Sequence, residues 1–440
     1  MAARVVLTIA GAALAFRVFS ALVALLTNIV FPDYQREQFT VFGSTSPFWD
    51  ALARYDSGWY YQIARYGYEG GAGGYVPGGR SSIGFFPAYP LLMRFVGRAI
   101  GRTPADFYIG GLIVSWAAFV AAMIGVYALA RLDLPPKRAE RATLLAAVFP
   151  FAFFFGAVYS EALFLASAVG CFYFFRTKRW ILGGVCGALA TATRVNGILM
   201  WPALAWIVWR QLTAGSTGPG LRDGDAAGSG PGLQDGGAAA GSTGPGLRAG
   251  PGRRDGRAID GAAAEQTAGS TDRWWAIAGL TLVPVGIGMY SLYIYGLSGN
   301  PLEWAATIQR WGYYPGGSPV SVFWRLGTAL AIHPYAFLAS ERLAPYDSLN
   351  GVAAFAALVA VPFVWRRLGA AYGLFMAANL WLPLSTGQVE GMGRYVAVMF
   401  PLFIWLASIA SSRAFIVAAV VFAMLYTLCL ALFTNIHPLF

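Results

Sequence analysis

An all-α polytopic integral membrane protein is the fold class this sequence predicts, on three observations. The 440 residues are 57% hydrophobic and only 12% charged, half the charge usual for soluble domains. Mean hydropathy is +0.56, and the apolar residues lie in long runs of the length that crosses a bilayer. Lysines and arginines gather at alternate ends of those runs, as they do at the cytoplasmic ends of spans. Fifteen tryptophans and 22 tyrosines suit interfacial belts. The excess of basic over acidic residues, net +11, belongs to loops at a membrane surface, and no nucleic-acid-binding module is recognisable. Cys171, Cys186 and Cys429 sit in apolar segments and make neither a disulfide framework nor a zinc spacing. With His333 and His437 the only histidines, a histidine-based metal site is not expected.

Taken in order, a first span covers 5–30, entered from Arg4, with the N-terminus inside; it is too long for a cleaved signal. A long external loop, 32–106, carries interfacial helices. A second span, 107–130, returns to the cluster Arg131, Lys137, Arg138 and Arg141. Segments 142–158 and 161–175 form a hairpin, and 180–212 divides into two short spans where Thr193, Arg194, Asn196 and Gly197 interrupt the apolar run. Residues 213–273 are rich in Gly, Ala, Pro and Ser and repeat AGSTGPGLR at 214–222 and 240–248. They lack the apolar surface for a core and read as a disordered cytoplasmic linker. The C-terminal half, 274–440, adds spans at 274–296, 349–365, 370–386, 395–410 and 414–433, with a second external loop at 297–348. About eleven transmembrane helices result, dividing the chain into 1–212, 213–273 and 274–440.

In this topology the unusual polar residues converge on the external side: Asp50 and Asp56, Glu161, Arg194 and Asn196, Gln309 and Arg310, Glu390 and Arg394. A transporter more often carries its ionisable groups near the bilayer midplane, so polar groups at one mouth favour chemistry on a substrate presented at the membrane. Set on a helical wheel, 49–66 puts Trp49, Leu52, Trp59, Tyr60, Ile63 and Tyr66 on one stripe with Asp56 about 40° from Leu52; Asp50, Arg54 and Arg65 fall opposite. A carboxylate on an apolar face is partly desolvated and a better base, although a helix cap or an arginine partner is the plainer reading of Asp56. Asp50, after Ser46-Pro47, reads as a first-turn acid. Arg94, Arg98 and Arg102 make one cationic stripe, serving either lipid headgroups or a lipid-linked phosphate. Arg194, in an apolar run, needs a partner or a ligand: its fork suits phosphate, and Glu161 is the structural alternative. Glu161 itself follows Ser160 at a helix start, where an acid is stabilising without function. Arg394 lies among Gly387, Gly391 and Gly393, where a ligand can approach closely. Gln309, Arg310 and Trp311 offer hydrogen bonds and a stacking face for a sugar, or an ordinary interfacial pair. Trp59, Tyr60, Asn196 and Glu390 complete the candidates for sugar or acceptor contact.

These residues carry a resemblance. RYDSGWYYQIARYGYE (54–69), FFPAYPLL (85–92), YSEALF (159–164), TATRVNG (191–197), IQRWG (308–312) and GRYVAVMFPLF (393–403) resemble motifs of the GPI mannosyltransferase 2 (PIG-V) family, in its bacterial form, and in the same order. The resemblance spans nearly the whole chain outside 213–273. It implies a GT-C glycosyltransferase fold and an acidic catalytic residue in the first external loop. The donor would be a sugar on a polyprenyl-phosphate carrier, with mannose as the expected hexose. The family's Arg/Trp-Asp element falls on Arg54-Tyr55-Asp56, with Tyr where Trp is usual; Trp49-Asp50 is the rival alignment, and the helical wheel favours Asp56. The expected chemistry is inverting transfer, with Asp56 as general base. Arg194 and Arg394 would hold the phosphate, and Arg94 and Arg98 would dock it. No divalent metal is required, though Asp50, Asp56 and Glu161 are groups able to bind one. Expected partners are membrane lipids, the carrier-linked sugar, and a glycolipid, glycan or protein acceptor; the expected place is the cell membrane, with the site on the extracytoplasmic face. A flippase of lipid-linked sugars, or a non-catalytic scaffold, are the other classes the pattern admits.

Overall fold

A computed structural model describes residues 3–34, 51–214, 271–314, 316–340 and 344–439. Every regular element among them is helical. Four helices are long and apolar enough to cross a membrane: α1 (Ala3–Val30), Pro104–Ala130, Ala344–Leu368 and Ser412–Thr434. A fifth arises if Thr271–Leu282 and Val285–Ser298, bent by 40° at their junction, form one broken span. The count of about eleven is therefore not reached among the described residues. The physical reason is visible at each shortfall. Segments expected to span are short helices, of 16 residues at Glu161–Arg176, 14 at Trp180–Thr193, 15 at Ala370–Leu384 and 10 at Phe400–Ile409. Those lengths reach about 15–24 Å, short of the roughly 30 Å hydrocarbon core. Proline and glycine set several of the boundaries: Pro401 opens the helix at 400, and Gly369, at φ +104°, opens the one at 370. The break expected near 193–197 is present, as Arg194 is extended and 195–200 form a 3-10 turn. Of the 213–273 segment, 215–270 lie outside the described residues.

Helices α2 (Ser57–Tyr66), α3 (Ala88–Ile100) and α4 (Pro104–Ala130) stack in sequence. Gly97 and Gly110 let α3 and α4 touch backbone to backbone: a Cβ on Gly110 would stand 2.6 Å from the Gly97 nitrogen. Small residues permit this close packing. The fully buried helix start at Glu161 lies behind them, against α4. Residues 51–57 are clamped onto this frame. The Arg54 guanidinium, fully buried, donates to the Thr434 carbonyl (2.8 Å) and to Asn28 Oδ1 (2.8 Å), joining the ends of the first and last long helices. Val158 N donates to the Leu52 carbonyl (2.9 Å) and Ser57 Oγ to the Val158 carbonyl (3.1 Å).

That clamp overturns the helical wheel. No single helix carries 51–66: the chain leaves helix after Leu52, Tyr55 takes φ +51°, and α2 starts only at Ser57. Arg54 is consequently interior rather than on an outer face. A buried cation joining two helix ends outweighs the periodicity of its neighbours. Trp49 and Asp50 lie outside the described residues.

Candidate active site

Asp56 occupies the residue before α2 in helical conformation, yet its side chain makes no cap bond. Its Oδ2 instead accepts from Arg394 Nη1 at 2.6 Å. Tyr55 aims it there. A non-glycine residue at positive φ costs of order 1–3 kcal/mol and persists only where neighbours over-determine it. Here the Tyr159 hydroxyl donates to the Arg54 carbonyl (3.2 Å) and accepts from Asp56 N (3.3 Å), fixing both sides of the bend.

Arg394 comes from a one-turn helix, Met392–Ala397, that follows Gly391 at φ +68°. Gly393 N donates to the buried Asn350 Oδ1 (2.7 Å). A Cβ on Gly393 would lie 2.3 Å from the Phe151 ring, so only glycine seats this turn. The same Arg394 Nη1 is 3.9 Å from Glu161 Oε1. Glu161, 1% exposed, also accepts from Arg194 Nη1, and Arg194 lies over the Tyr395 ring at 5.2 Å. Four ionisable groups from four separate segments thus alternate in sign: Asp56, Arg394, Glu161, Arg194. The alternation makes the row formally neutral, which is how charges are kept together away from water. Tyr60 OH and Ser160 Oγ, 2.8 Å apart, close its inner side.

Three members of this row, Asp56, Arg194 and Arg394, line a cavity of about 360 Å³, within the range of small-molecule sites. Asp56, Arg194, Arg394 and Glu390 line it together with the aromatic side chains of Phe85, Phe86, Trp304 and Trp311, and with Tyr60, Asn196, Gln309 and Tyr313. Asn196 Nδ2 donates to Asn379 Oδ1 (3.0 Å). The Tyr313 hydroxyl donates to Glu390 Oε1 (3.3 Å). Burial pushes the Glu390 carboxyl above its usual pKa, against the pull of Arg394 and Tyr313. Four buried polar atoms around the cavity have no protein partner among the described residues: Arg394 Nε, Glu161 Oε2, Asn196 Oδ1 and Trp311 Nε1. Such atoms are costly unless water or a ligand satisfies them.

No protein-family model matches the chain, and no curated protein matches it either. Among solved structures it is similar to the Archaeoglobus fulgidus oligosaccharyltransferase complexed with Zn and sulfate, at 14% identity and TM-score 0.43, covering 97% of this chain and 53% of that one. It is also similar to the AglB oligosaccharyltransferase of the same organism in complex with an inhibitory peptide and a dolichol-phosphate. That match has 15% identity and TM-score 0.42, covering 97% and 56%. The chain spans about half the length of these proteins. Identities and scores this low leave family membership and activity to the residues themselves.

Several sequence candidates stand outside the cavity lining. Arg94 donates to the Ala64 (2.6 Å) and Ile63 (2.8 Å) carbonyls and so caps the C-terminal end of α2; Arg98 is exposed on α3. Arg310 is paired with Glu303 one helix face away and donates to the Gly79 carbonyl (3.0 Å). Trp59 stacks on Phe85 (5.7 Å) and meets Trp311 edge-on (4.9 Å), backing the aromatic wall. Asp50 is outside the described residues. Among those described, no cluster of three His, Cys, Asp or Glu has metal-holding geometry. Sequence reasoning passes over Glu303, Tyr313, Ser160, Tyr395 and Asn379. The Glu303–Arg310 pair is readable as opposite charges seven apart on one helix face, and Asn379 as an amide in an apolar run. Tyr313 and Tyr395 carry no local signal.

Proposed function

We propose that this chain is a membrane glycosyltransferase of the GT-C type, moving a hexose from a polyprenyl-phosphate carrier to an acceptor hydroxyl at the extracytoplasmic face. The observation that carries the reading is the Asp56 carboxylate paired with Arg394 in the lining of a cavity that Arg194 and several aromatic side chains also line. A base and a phosphate cradle are what transfer from a phosphate-linked donor needs, and an aromatic wall suits a sugar face. Mannose is the hexose the motif resemblance implies; a glycolipid, glycan or protein supplies the acceptor.

In the proposed reaction the acceptor O–H gives its proton to the Asp56 carboxylate as its oxygen attacks the anomeric carbon. The bond from that carbon to the carrier phosphate breaks on the opposite face, inverting the centre, and the electron pair stays on the phosphate oxygen. The transition state has oxocarbenium character. Arg194 and Arg394 stabilise the charge developing on the phosphate; removing one such contact typically costs about 10²–10³ in rate. Trp311, Phe85 and Gln309 would hold the sugar, and Glu390 with Tyr313 the acceptor. The arginines supply the positive charge that a divalent ion would bring, and Asp56 and Glu161, each already paired with an arginine, are poor ligands for one.

The test is direct. Purified protein given a radiolabelled polyprenyl-phosphate mannose and membrane extract should form a new labelled glycoconjugate. Movement of the intact carrier across a bilayer without a new glycosidic bond would instead make the chain a flippase.

A further inference from the structure

The Arg394 guanidinium does two jobs that cannot be done at once. It is the ion partner of Asp56, at 2.6 Å, and so occupies the base. It also lines the cavity where a donor phosphate would sit. We propose that Arg394 is a shared cation, passing from the Asp56 carboxylate to the donor phosphate when the donor arrives, so that donor binding unmasks the base. This rests on the glycosyl-transfer reading above and adds an order to it: donor first, acceptor activation second.

Three features support a handover rather than a fixed pair. The Arg394 fork has spare capacity, since its Nε is buried without a protein partner and only Nη1 engages the acids. Its carrier segment is a six-residue helix pinned at Gly393 N by Asn350, so the exchange is a reorientation of the long Arg394 side chain and needs no movement of the backbone. The second arginine is not free to substitute. Arg194 is held by Glu161, which is 1% exposed and would be left as an uncompensated buried charge if Arg194 moved away. Arg394 can leave Asp56 at lower cost, because Asp56 is 23% exposed whereas Glu161 is 1% exposed. A planar fork also binds phosphate oxygens at least as well as a single carboxylate oxygen. An anion in the cavity therefore competes with Asp56 for one cation, and the freed carboxylate faces the acceptor.

The competition has a signature independent of turnover. A short-chain polyprenyl monophosphate without sugar is titrated calorimetrically into the full chain in detergent, as wild type, Asp56→Asn, Arg394→Gln and the double variant. Asp56→Asn frees Arg394, so it should bind the probe about ten-fold more tightly than wild type. That gain should vanish when Arg394 is already Gln. If simple repulsion between Asp56 and phosphate were responsible, the gain would persist without Arg394, and that result overturns the handover, as does unchanged or weaker binding by Asp56→Asn. Should Arg394→Gln fail to fold, Arg394→Lys replaces it, keeping the charge without the fork, and the gain should shrink. Inorganic phosphate run in parallel should bind at least 100-fold more weakly; equal binding, or no binding of the lipid probe to any variant, overturns the carrier-lipid reading itself.

Discussion

Glu161→Gln isolates the part of the site that holds the rest in place. Its carboxylate is 1% exposed, its partner Arg194 is 14% exposed, and Arg394 stands 3.9 Å away. Removing one member of a buried ion pair costs about 3–5 kcal/mol, because the remaining charge is left uncompensated. The amide keeps the shape and one hydrogen bond of roughly 1 kcal/mol, and Arg194 is partly exposed, so a loss of about 3 kcal/mol is expected. The neutral row becomes net +1, with two arginines sharing Asp56. Equilibrium unfolding in mixed micelles, followed by far-ultraviolet circular dichroism, measures this. The double variant Glu161→Gln/Arg194→Gln should lose less than the sum of the singles, since the uncompensated charge is gone; pairs in one network couple by roughly 0.5–3 kcal/mol. A single-variant loss under about 1 kcal/mol, or additivity of the two, would refute the claim that the row is held together by its alternating charge.

Two further outcomes follow from the same geometry. Gly393→Ala forces a Cβ into the Phe151 ring; it should cost about 1–3 kcal/mol and lower transfer by displacing Arg394, whereas full activity would show that this turn does not position the arginine. Burial holds the His437 imidazole below its usual 6.5, with Nδ1 2.6 Å from the Tyr346 hydroxyl. The folded state then binds that proton less readily than the unfolded one, so stability is full above about pH 6.5 and falls as pH drops below it. Melts from pH 7.5 to 5.5 should shift downward, and His437→Asn should flatten the shift; an unchanged slope would contradict the assignment.

How far the sequence could be read depended on whether a residue's role is local. The interruption at Thr193–Gly197 showed as polar residues in an apolar run, and the helix does break there. Asp56, Arg194, Asn196, Gln309, Trp311, Glu390 and Arg394 stood out for the same reason, and the structure sets all seven around one cavity. Periodicity failed where tertiary contacts overrule it. Nothing local says that Tyr55 is left-handed or that Arg54 is interior. Arg17 is the sharpest case. It lies within the first apolar helix, 1% exposed, donating to the Ala152 carbonyl (3.2 Å) with its guanidinium 4.0 Å from the Phe119 ring centroid. Its tolerance depends on the rings of Phe119 and Tyr426 and the Ala152 carbonyl, from three other segments that no window of sequence contains. The expected span number is not confirmed, because hydropathy alone does not report helix length and several of the apolar helices are only 10–16 residues long.

The central claim is that Asp56 is the base of a glycosyl transfer. Asp56→Asn keeps the side chain's size while removing its charge and its ability to take a proton. Measured as label moved from polyprenyl-phosphate mannose to acceptor per minute, transfer should fall by about 10²–10⁴ in a protein that still folds. Turnover within a few-fold of wild type in a folded Asp56→Asn protein would contradict the account.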